Sequence, residues 1–339
     1  MANGALTEKQ SRSRRFAPLG VIFGLLGLLL FAYFVSRAGV GEIVSNIQRL
    51  GAWFLLILAI SSVRYVVRAL AWTRCVERGY RLPFRDAFAA RVMGDALGNI
   101  IPFVSFAVSE PSKAVFVKDR VPLMVGLSAL AIENIFYALT VALFIFSGTA
   151  TLLLGFSLPK GLRYASIGAL TTTLVIIPLV FLLIRSQTRF LSGILGFLRA
   201  SRLKPRAESL EDRVYGFYVT NQRSFLSIFA LDMCFHLVGI VEVFITLSFI
   251  SPVAPTLTQA FILESVNRII NVAFKFIPLR AGVDEGGTGQ VSKALGFARD
   301  IGVTLAIVRK GRDIFWSAIG LLLIWKKGHR LTQMNGDHS

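Results

Sequence analysis

Long apolar runs, separated by short basic clusters, set the pattern of this chain. A helix needs about 20 apolar residues to cross a bilayer. Six windows approach that length: 17–36, 52–72, 121–146, 165–184, 225–250 and 303–325. The first follows Lys9, Arg12, Arg14 and Arg15, and no small-residue cleavage site comes after it. It reads as a retained signal anchor. Two further stretches, 87–120 and 260–299, are too short or too polar for simple spans. The first breaks at Pro102 and the second at Pro278. After each break come a polar turn and a second short helix.

Composition agrees with the pattern. Hydrophobic residues make up 54% and charged residues only 17%, outside the range of a soluble domain. Mean hydropathy is +0.65. The two cysteines and three histidines form no disulfide framework and no metal-ligand spacing. No cofactor and no metal is expected. The net charge is +18. Its basic residues lie in clumps between apolar runs, so the positive-inside rule explains them better than a nucleic-acid partner does.

Charge also orients the segments. With the N-terminus cytoplasmic, Arg74, Arg78, Arg81 and Arg85 fall inside, as do the seven Lys and Arg of 186–223 and, at the end, Lys326, Lys327 and Arg330. The segment 87–120 then begins and ends inside, as a re-entrant hairpin. The segment 260–299 becomes a hairpin entering from outside. Two ordinary short spans in each place is the other reading. The expected architecture is an all-α polytopic membrane protein of two inverted-topology halves, each with three transmembrane helices and one re-entrant helical hairpin. A basic tail, 1–16, precedes the first half, 17–150. The second half, 151–326, carries the basic loop 186–223, and 327–339 form a cytoplasmic tail. Within that loop, Phe190, Leu191, Ile194, Leu195 and Leu198 have the spacing of an interfacial amphipathic helix.

Charges inside apolar windows mark the candidate chemistry, because a charged side chain at membrane depth needs a partner or a wet cavity. Arg64 and Arg68 share one helix face. With Arg91 they suit a phosphate head group, which the planar guanidinium binds bidentately. Snorkelling or an internal ion pair is the plainer alternative. Counting back 11, 7 and 3 from each proline gives Arg91, Asp95 and Asn99 in one hairpin, and Asn267, Asn271 and Lys275 in the other. Glu264, Arg268, Asn271 and Lys275 form one polar stripe, expected to face the interior. After Pro278, the glycines Gly282, Gly286, Gly287 and Gly289 predict a tight turn, with a helix starting near Asp284 and capped by Asp284 or Glu285, or open to an anion. The matching first-half turn, with Glu110 and Lys113, predicts a helix start with Pro111 in its first turn. Glu133 and the group Arg309, Arg312 and Asp313 are expected to pair across the two halves. Asp232 and His236, four apart, form either a hydrogen-bonded pair or a proton relay.

At these residues the chain resembles the membrane region of lysylphosphatidylglycerol synthases, the flippase-like integral membrane family. Three motifs carry the resemblance: Asn99-Ile-Ile-Pro102 with Ser109-Glu110-Pro111-Ser112-Lys113; Pro278 to Gly289 with Glu285; and Arg312-Asp-Ile-Phe-Trp316. It implies lipid translocation or lipid-linked transport across a prokaryotic cytoplasmic membrane, in which the charge pattern above puts both termini on the cytoplasmic side. The lipid would have an anionic head or be of polyprenyl or hopanoid type. Membrane lipids are the expected partners, with a homo-oligomer and enzymes of lipid or glycan biosynthesis compatible. Because the sequence ends soon after the last apolar run, lysyl transfer and enzyme activity are not expected. The rival functions are a proton-coupled solute transporter and a non-transporting scaffold.

Overall fold

The computed structural model describes residues 40–100, 105–186 and 204–336, with isolated positions at 29, 32–33, 36 and 192–193. Most of the first predicted span, Pro102, and the predicted interfacial helix at 190–198 lie outside the described residues. The described residues form helices and no strands. In chain order these are α1 (Val40–Leu50), α2 (Phe54–Arg74), α3 (Phe84–Ile100), α4 (Ser105–Phe116), α5 (Leu123–Gly155), α6 (Lys160–Arg185), α7 (Lys204–Thr220), α8 (Gln222–Ile250), α9 (Leu257–Ala273), α10 (Val283–Ala294) and α11 (Arg299–Gly336).

Four stretches are long and apolar enough to cross a membrane: Ile43–Arg74, Leu123–Gly155, Lys160–Leu179 and Gln222–Ile250. They answer to the second through fifth predicted windows. The sixth window lies inside the single helix α11, where Arg309, Lys310, Arg312 and Asp313 break its apolar character. The segment 260–299 breaks as expected, while the break expected at Pro102 lies outside the described residues. Helices α3 and α4 flank residues 101–104, and α9 and α10 flank a distorted turn.

Local chemistry explains several boundaries. Thr256 Oγ1 accepts from the Gln259 amide at 3.2 Å, while Gln259 Oε1 accepts from the Thr256 amide at 2.8 Å. This capping box satisfies two of the four amides that open α9. Ahead of α10 the backbone turns through positive φ at Leu279 (48°), Arg280 (51°) and Gly282 (81°). Glu285 then accepts the Gly282 amide at 2.7 Å. The helix begins at Val283, within a residue of the expected start, and Glu285 caps it.

Three expectations need correction here. Gly286, Gly287 and Gly289 sit inside α10, not in the turn. They serve close packing: a Cβ on Gly289 would come within 3.2 Å of Val303, and one on Gly287 within 2.8 Å of Ile270. Helix α4 begins at Ser105, so Pro111 is interior rather than in its first turn. Much of the predicted loop 186–223 is helix α7, which buries Ala207, Val214 and Phe217.

The packing is reciprocal. α2 lies along α8 at the centre. The first hairpin helix of each half leans on the last helix of the other: α3 on α11, and α9 on α5. Missing side chains make both crossings close. A Cβ on Gly320 of α11 would meet Ala96 and the Val92 carbonyl of α3 at 2.5 Å. One on Gly148 of α5 would collide with Ser265 of α9. Two buried apolar clusters result, one around Trp72, Leu130 and Phe217, the other around Ile57, Leu247 and Leu263.

Candidate functional site

Between those clusters lies a connected network of buried charge. In the first half one carboxylate is held by two arginines. Glu133 of α5, fully buried, pairs with Arg68 of α2 at 2.7 Å and with Arg91 of α3 at 3.2 Å. In the second half the signs reverse. Arg309 of α11 meets Glu264 of α9 at 3.6 Å and Asp284 of α10 at 3.9 Å. Arg312 of α11 pairs with Glu242 of α8, and with Asp313 at 2.8 Å. Lys310 pairs with Glu285. The expected bridge from Glu133 to Arg309 or Arg312 is therefore not formed. Each group is neutralised within its own half, by the middle helix and the hairpin that pack beside it.

Arg64 is the exception. It reaches from α2 to Glu242 at 3.3 Å and to Glu264 at 3.5 Å. Among the described residues, its buried ion pairs alone join the two halves. Its guanidinium also lies 4.4 Å from the centre of the Phe235 ring. Arg68 lies 3.5 Å from that of Tyr137. Flat rings and flat guanidinium groups stack, which positions these side chains without further polar partners. Sequence reasoning placed Glu242 in a span but gave it no role, since no charge accompanies it at helical spacing. Lys310, Asn134 and Tyr137 were likewise given no role.

The polar stripe on α9 runs from core to surface. Glu264 and Arg268 are buried, Asn271 is half-buried and Lys275 is exposed. Arg268 Nε donates to Glu264 at 3.1 Å, and Asn267 donates to the same carboxylate at 3.1 Å. Near the outer end of this stripe lies the polar end of the first hairpin. There Lys113 pairs with Asp95 and Glu110, both at 2.7 Å. Asn134 donates to Glu110 at 2.9 Å and accepts from Arg68 at 3.3 Å, linking this end to the Glu133 group. Asn99 donates to Ser317 of α11 at 3.0 Å. Arg280, in the strained turn, pairs with Asp313 at 3.0 Å.

Asp232 and His236 do not pair with each other. His236 stacks on Phe144 and Tyr137, with Nε2 3.3 Å from Thr140. Asp232 is fully buried, and neither carboxylate oxygen has a hydrogen-bond partner. A space of about 600 Å³ lies between α5 and α7, lined by Cys75, Ser128 and Phe217.

Residues 18–320 match the family described as the lysylphosphatidylglycerol synthase TM region. The chain belongs to that family. No curated protein and no solved structure matches it. As a member of the lysylphosphatidylglycerol synthase TM region family, the chain is an integral membrane protein, and its charged network lies among membrane-spanning helices.

Proposed function

We propose that this protein translocates an amphiphilic lipid with an anionic head across the cytoplasmic membrane. One observation carries the reading. On the segments that close the network, charged groups and exposed apolar side chains alternate. Lys275 and half-buried Asn271 sit beside exposed Val272 and Phe276 on one segment, and Asp313 sits beside exposed Ile314 and Phe315 on another. Such an edge suits a molecule whose head enters the polar interior while its tail stays in the bilayer. A water-soluble solute has no use for the apolar half. The family's name points to lipid as well.

In this reading the two halves are inverted repeats, 87–120 and 260–299 are re-entrant hairpins, and both termini are cytoplasmic. The reciprocal packing of α3 on α11 and α9 on α5 supports the repeat. So does the sign-reversed arrangement of Glu133 between two arginines and Arg309 and Arg312 among acids. Arg64, Arg68 and Arg91 exchange a carboxylate for the head-group phosphate when lipid enters. Because Arg64 alone, among the described residues, bridges the halves through buried ion pairs, that exchange loosens one half from the other. Broken helices meeting near the midplane are the usual setting for such a site.

Mass spectrometry of the lipids retained by purified protein tests this. One anionic class enriched over the host membrane, and lost in Arg64→Gln, is the expected outcome. Bulk membrane composition in both samples would remove the reading.

A further inference from the structure

Asp232 stands out in the network. It is fully buried on α8, and both of its oxygens lack a hydrogen-bond partner. A buried carboxylate keeps its charge only where partners offset the loss of water. The charges that act on it come from three other helices: Arg68 of α2, Arg91 of α3 and Glu133 of α5. The thiol of Cys75, just past α2, also lies within its field. Farther along α8, Arg64, Glu264 and Arg268 act on His236.

The charge of this group depends on one proton. Two arginines against ionised Glu133 and ionised Asp232 are neutral. With a proton on Asp232, the same four side chains carry one net positive charge. Arg91 has the means to use it: its Nε and Nη2 make no hydrogen bond, although Nη2 lies 3.2 Å from Glu133. Asp232 itself touches none of these groups in hydrogen-bond geometry, so a proton can come and go without breaking a contact.

We propose that Asp232 is a proton-binding site linked to head-group capture, so that one proton and one anionic phosphodiester bind together in the Arg68, Arg91 and Glu133 group. The inference rests on the lipid reading above and adds its coupling ion. The proton adds to a carboxylate oxygen and no other bond changes. By linkage, each ligand strengthens the other equally. Affinity for the anion therefore rises as pH falls, by at most tenfold per pH unit for one proton.

The probe is short-chain phosphatidylglycerol, whose single phosphodiester charge is constant from about pH 6 to about pH 8. Its binding to the full chain in neutral detergent would be measured across that range. The expected wild-type result is tighter binding at the acidic end by fivefold or more. Asp232→Asn carries no charge there and is expected to bind tightly at both ends, with the pH slope gone. Since Asp232 has no hydrogen-bond partner, this change strands no other group. Asp232→Glu restores the slope, and His236→Gln keeps it. A wild type that binds but ignores pH overturns the inference and leaves the lipid reading standing. So does a slope that survives in Asp232→Asn or disappears only in His236→Gln. No binding at any pH overturns both.

Discussion

Glu264 holds more of the network than any other single carboxylate. Arg64, Arg268 and Arg309 all converge on it, and Asn267 donates to it. Removing its charge leaves three guanidinium groups short of a partner in a buried setting. Breaking a buried pair by deleting one side costs about 3–5 kcal/mol. Glu264→Gln is therefore expected to lower the thermal unfolding midpoint in detergent sharply. Glu77→Gln, which removes an exposed partner of Arg213, should change stability by under about 1 kcal/mol. Equal shifts in the two variants would contradict the weight given to Glu264. The charges themselves were legible in the sequence, because Arg64, Glu133 and Glu264 interrupt apolar windows. Their partners were not. Helical spacing tells which residues share a face, but not which helix that face meets. Thus Glu133 was expected to meet Arg309 or Arg312 and instead meets Arg68 and Arg91.

At the scale of elements, glycine decides how closely helices cross. Gly320 lets α11 approach α3 so nearly that an added Cβ would lie 2.5 Å from both Ala96 and the Val92 carbonyl. Overpacking of this kind costs about 1–3 kcal/mol. Gly168 on α6 has nothing within 4 Å of the same position. Gly320→Ala is expected to reduce the unfolding midpoint, while Gly168→Ala leaves it unchanged or raises it slightly through helix propensity. The same midpoint in both would mean that the α3–α11 crossing is looser than described. The break after Pro278 was readable from proline and polarity. Gly282 makes the expected turn, but Gly286, Gly287 and Gly289 were misread as part of it, since a run of glycine signals a bend and a close helix contact equally well. Helix α7 escaped notice because Arg206, Glu208, Glu211, Asp212 and Arg213 give it the composition of a loop. Its buried Ala207, Val214 and Phe217 follow a helical period too sparse to stand out against those charges.

Across the whole molecule, the order of long apolar helices and broken ones was legible from hydropathy alone. The reciprocal packing of one half on the other was not, because it depends on contacts between residues more than a hundred positions apart. That packing gives the protein a seam with α2 and α8 at its centre and Arg64 bridging it through buried ion pairs. In the proposed function an anionic lipid passes along this seam from one leaflet to the other. The most direct measurement is transbilayer movement of a fluorescent phosphatidylglycerol in proteoliposomes, read by quenching with a membrane-impermeant reductant. Wild-type protein is expected to move the probe far faster than it moves in protein-free vesicles, and Arg64→Gln to slow it by at least tenfold. Movement no faster than in empty vesicles, or an Arg64→Gln rate equal to wild type, would contradict it.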